Sequence, residues 1–423
     1  MSAPFWTLSR VADALAGVSP GVGAPARIGP PADAFPRGDA PIRRIWTDTR
    51  TIEQGDLFVA LRGESFDGHD FLDDAVGAGA VALVVADLRR ARAIGVPAFE
   101  CADTTRALGR LARYRREAWG RPVVAVGGSN GKTSTKELVR SALEARLDVH
   151  ATRGNLNNQV GVPQTLLALP DDADIAVVEV GTNMPGEIAL LRDIVRPDVA
   201  VVTAIEEEHL EGFGDLDGVL REEASLLDGA GVAVVPAHET ALVAEAVARA
   251  RRVVTARLGA APGDGAGSRT ECAAERAWLA GDGTGRFVVG GVEVVVPLRG
   301  EHNLRNAMLA LAVARECGVP IAEAARGIAA IDVRAMPGMR SAVEPLGPAL
   351  LVNDAYNANP GSARAAIKLL TAVAGGRPRV IVLGTMRELG AHAASAHREI
   401  ARAAVASGAA LVAGIGDFAP ALR

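Results

Sequence analysis

Cysteine is scarce in this chain, with Cys101, Cys272 and Cys317 the only three in 423 residues. Far apart and odd in number, they offer neither a disulfide framework nor a zinc site, and they suit a reducing compartment. Lysine is scarce too: only Lys132, Lys136 and Lys368 stand among 45 basic residues. No apolar run reaches the roughly 18 residues that span a bilayer. The first residues lack the basic-then-apolar order of a secretory signal. A net charge of −5 speaks against binding nucleic acid through a broad basic surface. The expectation is a cytoplasmic monomer with no membrane span and no nucleic-acid partner.

What is present is an ordinary globular composition, 49% hydrophobic and 22% charged, in a chain long enough for two to four domains. Apolar strand-like runs alternate with helical patterns, which argues for α/β architecture with parallel sheets and right-handed crossovers. Residues 1–115 read as a first α/β unit, with strands at Asp56–Leu61 and Val81–Ala86 and a helix from Phe71 to Gly79. Residues 116–333 read as a central parallel-sheet unit, in which 259–285 are too rich in Gly, Ala and charge to be core. That stretch is expected to be a long surface loop or hairpin. Residues 334–423 form a third, shortened unit with strands near Leu350, Val380 and Ala410.

The central unit opens with Val123-Val-Ala-Val-Gly-Gly-Ser-Asn-Gly-Lys-Thr-Ser-Thr. A strand-like run ends in a glycine turn and a helical pattern follows, which is the context of a phosphate-binding loop. The longer form G-x-x-x-x-G-K-[ST] would need Gly at position 126, where Val126 stands. The chain carries the shorter Gly128-Ser129-Asn130-Gly131-Lys132-Thr133, followed by Ser134. Two of the three lysines fall within five residues here, in a chain that otherwise uses Arg. A compact ammonium suits a phosphate as a point charge. Lys132 would reach the outer phosphates of a nucleotide, and the Thr133 hydroxyl would ligate Mg²⁺.

Parallel sheets bind ligands beyond the carboxyl ends of their strands. Glu179, in Ile175-Ala-Val-Val-Glu-Val, and His209 both fall near that edge. Thr133, Glu179 and His209 together offer hydroxyl, carboxylate and imidazole to a divalent cation; the other reading of His209 is a satisfied polar residue at a strand end. In Gly218–Leu227, Glu223 lies three or four residues from Val219, Leu220, Leu226 and Leu227 and so sits in the inward stripe, while Arg221 and Glu222 point elsewhere. Glu223 is either a structural salt-bridge partner or a carboxylate aimed at the phosphate and metal site. In the first unit, Thr49, Arg50 and Arg62 lie in polar loops and form a candidate anion site.

These motifs, with Gly154-Asn-Leu-Asn-Asn, Glu179-Val-Gly-Thr-Asn, His209-Leu-Glu-Gly-Phe-Gly, Gly300-Glu-His-Asn-Leu-Arg-Asn-Ala, Tyr356-Asn-Ala-Asn-Pro and Leu383-Gly-Thr-Met-Arg-Glu-Leu-Gly, resemble the Mur ligases of peptidoglycan synthesis. The resemblance runs from about residue 47 to 400 in the family's order. His209-Leu-Glu-Gly-Phe-Gly and Tyr356-Asn-Ala-Asn-Pro match the member that adds D-alanyl-D-alanine. The resemblance implies a UDP-sugar domain, a central ATPase domain with a phosphate loop, and a C-terminal Rossmann-like domain that closes over the site. It implies that UDP-N-acetylmuramoyl-tripeptide is phosphorylated by ATP with Mg²⁺ to an acyl phosphate, which the amine of D-alanyl-D-alanine attacks.

By the same resemblance Lys132, Glu179, His209 and Glu223 are catalytic, and Thr133, Glu179, His209 and Glu223 hold metal. Asn303 meets adenine, Arg340 and Asp354 meet ribose and phosphate, and Thr49, Arg50, Arg62, Asn157, Asn158, Tyr356, Asn357 and Asn359 meet substrate. The chain departs from the family in four places. Glu223 stands where the family has a carbamylated lysine and is expected to supply its negative charge without CO₂. Glu206-Glu-Glu stands where small or neutral residues are usual, and should repel phosphate unless Mg²⁺ intervenes or the run faces water. Pro236 stands where the family has an Asn that helps read adenine, and by the same resemblance the last strand–helix unit or units of the third domain are expected to be missing. Two other readings remain: a sister ligase adding the third residue or glutamate to folate, and a non-catalytic ATP-binding relative.

Overall fold

The computed structural model describes residues 4–17, 27–28, 40–91, 94–259, 269–334, 336 and 342–423. They fold into two compact units that follow packing rather than chain order. The first takes residues up to Gly120 and adds Asn158–Asp171 and Asp193–Val195. The second holds the rest, so the last ninety residues share a compact unit with the central core.

The first unit is built on a five-stranded sheet. Ile45–Trp46, Leu57–Val59, Ala82–Val85 and Ala98–Glu100 run parallel, and Arg27–Ile28 pairs antiparallel at one edge. The helix expected near Phe71 is there, as a 3₁₀ turn Gly68–Phe71 running into Leu72–Gly77. Residues 158–171 join this unit because helix Thr104–Trp119 holds them. The Arg115 guanidinium donates to the Leu169 carbonyl at 2.6 Å and to Asp171 at 2.6 Å, and the Trp119 indole donates to the Pro170 carbonyl at 2.8 Å. Gly109 of the same helix faces Ile194, leaving no room for a Cβ.

The second unit is built on a seven-stranded, all-parallel sheet. In spatial order its strands are Arg269–Ala273, Val253–Arg257, Val232–Pro236, Val199–Val202, Val123–Gly127, Ile175–Glu179 and Val149–Ala151. The central strands are short runs of Val, Ala and Ile, buried on both faces as covered parallel sheets require. From Val123–Gly127 the chain goes first to one side and then to the other. That strand therefore ends at the point where strand order reverses, the usual ligand crevice of an open α/β sheet. Register sets Glu179 beside Val126, and Val202 beside Gly127, at one edge.

The stretch 259–285 is not a loop throughout. Residues 260–268 lie outside the described set, but Arg269–Ala273 closes the parallel sheet, and Arg276–Leu279 starts a three-stranded antiparallel sheet with Thr284–Val289 and Val292–Arg299. Within the stretch Cys272 and Ala274 join the core that includes helix Glu301–Glu316, as does Phe287 just beyond it. At the C-terminal end, Ala342–Leu346 and Ala349–Asn353 form an antiparallel pair, and Val380–Leu383 pairs in parallel with Leu411–Gly414. Helices Pro360–Val373 and Ala393–Ala406 pack with the parallel pair around Ile367, Ile381, Ile400 and Phe418.

Candidate active site

The loop after Val123–Gly127 has the shape of an anion cradle. Gly128 and Gly131 have φ of +113° and +82°, conformations that side chains resist. A Cβ on Gly128 would lie 2.6 Å from the Thr203 nitrogen, so glycine is required by space as well as by torsion. Helix Lys132–Leu143 starts at once after Gly131, and its first amides point out of the loop. The loop is stitched to the segment after Val202. The Ser129 amide donates to the Ala204 carbonyl at 2.9 Å, the Thr203 hydroxyl to the Asn130 carbonyl at 2.5 Å, and the Glu206 amide to the Ser129 hydroxyl at 3.0 Å. Lys132 curls over the turn: its ammonium donates to the Gly128 carbonyl at 2.6 Å and the Ser129 carbonyl at 3.2 Å, with a Glu208 oxygen at 3.7 Å.

Glu179 is buried at the end of its strand. Its Oε1 accepts from the Thr133 hydroxyl at 3.1 Å and from the Asn157 amide at 2.9 Å. Its Oε2 is buried with no hydrogen bond, 3.6 Å from the Lys136 ammonium. Lys136 is wholly buried and donates to the Thr152 and Gly154 carbonyls at 2.8 and 3.0 Å. The second lysine of the loop thus ties the Gly154-Asn-Leu-Asn-Asn loop to Glu179. Sequence reasoning noted its rarity but gave it no role; a second lysine one helical turn after Lys132, in a chain that otherwise uses Arg, was the available signal. A hydroxyl and a carboxylate oxygen left without a donor form a hard donor pair of the kind Mg²⁺ takes together with phosphate and water.

The expected four-ligand set does not assemble around that pair. Among the described residues, no three His, Cys, Asp or Glu side chains gather as a metal group. His209, at φ +47°, turns its Nδ1 to Glu388. Glu223 is fully buried, as its place in the inward stripe implied, and its Oε2 accepts from the Gly128 amide at 2.7 Å. Glu223 and Glu208 each keep one buried carboxyl oxygen without a hydrogen bond. Burial pushes both groups above the usual carboxylate range, with Lys132 pulling the other way. Glu222 does not point away. It is buried and accepts from the Gly186 and Ile188 amides at 2.7 and 2.8 Å, capping helix Glu187–Val195.

The acidic run is not uniform, with Glu208 buried and Glu206 and Glu207 partly exposed. Glu208 is buried against Lys132, whereas Glu206 and Glu207 each lie 3.9 Å from Arg364 of helix Pro360–Val373. That helix is capped by Asn359, which accepts from the Ser362 amide at 2.8 Å. Asn359 and Asn130 also exchange amide hydrogen bonds, both 3.0 Å. The Tyr356 hydroxyl accepts from the Asn155 amide at 2.7 Å, and the Asn357 side chain binds the next backbone amide. Asp354 follows strand Ala349–Asn353 in the same loop. Arg340 lies outside the described residues. Asn303 donates to the Arg299 carbonyl at 2.8 Å and accepts from Asn306 at 3.1 Å; Asn306 in turn abuts Gly131. Pro236 is buried at a strand end, in register with Ala256.

In the first unit, Thr49 and Arg50 form a 3₁₀ turn capped by Asp48, and Arg50 pairs with Asp48 at 2.7 Å. Arg62 pairs with Asp67 at 3.2 Å. Asn158 caps the start of helix Gly161–Leu167 by accepting from the Val160 and Gly161 amides. Asn157 belongs to the second unit.

Comparison with known proteins gives a consistent picture. The family model described as the Mur ligase middle domain matches residues 126–314, that of the Mur ligase, glutamate ligase domain matches 339–421, and that of the Mur ligase family, catalytic domain matches 41–116. The chain is 37% identical over 374 residues to the UDP-N-acetylmuramoyl-tripeptide–D-alanyl-D-alanine ligase of Escherichia coli K12, covering 88% of this chain and 80% of that protein. It is 35% identical over 369 residues to the Bacillus subtilis 168 enzyme of the same name, covering 85% and 76%. Among solved structures, a crystal structure of MurF from Acinetobacter baumannii superposes with a TM-score of 0.83 at 32% identity, over 98% of this chain and 87% of that one. MurF ligase from Thermotoga maritima in complex with ADP superposes with a TM-score of 0.69 at 27% identity, over 85% and 81%.

Proposed function

The chain belongs to the Mur ligase family, and from that premise we propose that it is an ATP-dependent ligase joining D-alanyl-D-alanine to UDP-N-acetylmuramoyl-tripeptide. The observation that carries the reading is the loop Gly128–Thr133 with Lys132 at its mouth and the Thr133–Glu179 pair at the same sheet edge. A free carboxylate is a poor acylating agent, so the tripeptide carboxylate attacks the γ-phosphate and ADP leaves. The amine of D-alanyl-D-alanine then attacks the acyl phosphate, and the tetrahedral intermediate expels phosphate. The protein supplies position and charge.

Loop amides and Lys132 take the β- and γ-phosphates, with phosphate oxygens replacing the loop carbonyls that Lys132 now meets. Thr133 and Glu179 are the residues that would hold Mg²⁺, which when bound offsets phosphate charge. Asn157 and Lys136 keep the Glu179 carboxylate in place. His209 joins Thr133 and Glu179 as a third donor only by leaving Glu388, and Glu223 acts on the loop through the Gly128 amide. Asn303, Arg340 and Asp354 are assigned to the nucleoside and phosphates. Thr49, Arg50, Arg62, Asn157, Asn158, Tyr356, Asn357 and Asn359 are assigned to the peptide and UDP-sugar. A reaction that consumes ATP and a UDP-linked precursor belongs to the cytoplasm, and a single chain carries all the assigned residues.

The test is phosphate release with ATP, Mg²⁺ and UDP-N-acetylmuramoyl-tripeptide, with and without D-alanyl-D-alanine. Release that depends on D-alanyl-D-alanine is expected. Release that depends instead on a diamino acid or on glutamate, or no amine-dependent release at all, rejects the proposal.

A further inference from the structure

We propose that Glu206–Glu208 and the Asn130–Asn359 amide pair form a clasp between the phosphate loop and helix Pro360–Val373, making Asn359 and Arg364 positioning residues for the ligase reaction proposed above. The acidic run divides its work. Glu208 turns inward to Lys132, while Glu206 and Glu207 turn to Arg364, which also pairs with Glu399 on the following helix. The Glu206 backbone holds the loop as well, through the Ser129 hydroxyl. Gly361 lies directly against the Glu206 carboxylate, so a side chain there would force the two apart.

The amide pair is the second, independent strand of the clasp. Asn359 is buried and used twice. Its Oδ1 accepts from both the Ser362 amide and the Asn130 amide, and its Nδ2 donates back to Asn130. A helix cap needs only the first of these bonds. Asn130 stands between Ser129 and Gly131, inside the turn that would wrap the phosphates. Its carbonyl is held by Thr203, so its side chain is the part free to reach outward. Residues that grip phosphate on one side are therefore bonded on the other to the C-terminal helix. A shift of the turn on phosphate binding must move Asn359, Arg364 or both.

The clasp can be separated from the cap. Asn359→Ser keeps a side-chain oxygen for the Ser362 amide but is too short to reach Asn130. Arg364→Ala removes the partner of the acidic run, and Arg364→Lys returns a charge to contacts that are not bidentate. Amide hydrogen exchange is read on the nucleotide-free protein, beside steady-state phosphate release. Asn359→Ser should speed exchange at least about threefold in both 359–366 and 128–133, two segments more than two hundred residues apart in sequence. Both Asn359→Ser and Arg364→Ala should lower kcat about tenfold while leaving KM for ATP within about threefold, and Arg364→Lys should recover most of the loss. Faster exchange confined to 359–366 together with wild-type kcat would leave Asn359 a plain cap and end the proposal. Exchange is read without substrates, so a wild-type protein that releases no phosphate with D-alanyl-D-alanine rejects the ligase reading, while the clasp is still judged on exchange.

Discussion

The two flanks of the phosphate loop are built on different terms. On the Thr133–Glu179 flank the partners come from the parallel sheet, the helix that follows the loop and the segment that carries Asn157. Strand register sets Glu179 beside Val126, and Lys136 and Asn157 hold its carboxylate from two more segments. On the Ser129–Asn130 flank the partners are the Ala204 carbonyl, the Glu206 amide and the Thr203 hydroxyl of a connecting segment, and the Asn359 side chain at the start of a helix more than two hundred residues away in sequence. The first flank is fixed by backbone pairing that cannot change without breaking the sheet. The second is held by amide pairs and ion pairs that can be made or broken singly. The groups proposed to hold phosphate and Mg²⁺ sit on the first, and the contacts proposed to position the loop sit on the second.

The contrast can be broken most severely at the rigid flank. Lys132→Ala should cut kcat/KM for ATP by about 10³-fold, because a preorganised charge on the transferring phosphoryl group is lost. Retention of even a tenth of wild-type turnover would mean that the loop serves another ligand. Glu179→Gln should cost about 10²-fold in kcat and raise the Mg²⁺ needed for half-maximal rate, since the amide keeps the Thr133 contact but not the charge. An unchanged Mg²⁺ titration would remove Glu179 from the metal site.

A structural carboxylate provides the control. Glu222→Ala leaves the Gly186 and Ile188 amides without acceptors and should destabilise the fold by about 1–3 kcal/mol in denaturant unfolding. KM for ATP should not change; a large KM effect would place Glu222 in the site.

On the flank that can part, Glu208→Gln removes a competitor for Lys132 and should lower KM for ATP by a few fold. It should also alter the pH dependence of stability. Burial raises the Glu208 carboxyl above its ordinary range, so the folded chain holds a proton that the unfolded chain releases, and stability falls as pH climbs above that range. The Gln variant should show a shallower decline in thermal midpoint over the same window; an identical slope would assign the titration to other groups. The smallest effect belongs to Tyr356→Phe, which removes one hydroxyl from the partly exposed contact with Asn155. It should cost under about 1 kcal/mol in stability, with kcat changed less than about twofold.

Much of this arrangement was legible in the chain. The glycine spacing before Lys132 requires a turn of positive φ, and the valine runs require covered parallel strands. The inward place of Glu223 followed from helical periodicity, but its partner did not, because the Gly128 amide arrives from another element. Glu222 was misjudged for the same reason: periodicity on one helix says nothing of a second helix whose start needs a cap. Residues 269–279 fall in a stretch expected to be a surface loop or hairpin; the hairpin is there, and the strand Arg269–Ala273 was masked by its own charge and by the glycines that precede it. His209 was expected among ligands, but the left-handed backbone at that residue and at Glu388 brings the two together instead.

By itself the sequence determined the family, the phosphate loop and the identity of its charged residues, because local torsion and side-chain period are properties of neighbouring residues. Only the tertiary structure decided what the acidic run does. Three adjacent glutamates share one local pattern, yet one is paired with Lys132 and two with Arg364. That division depends on which distant cation each carboxylate meets, and such meetings are set by packing alone.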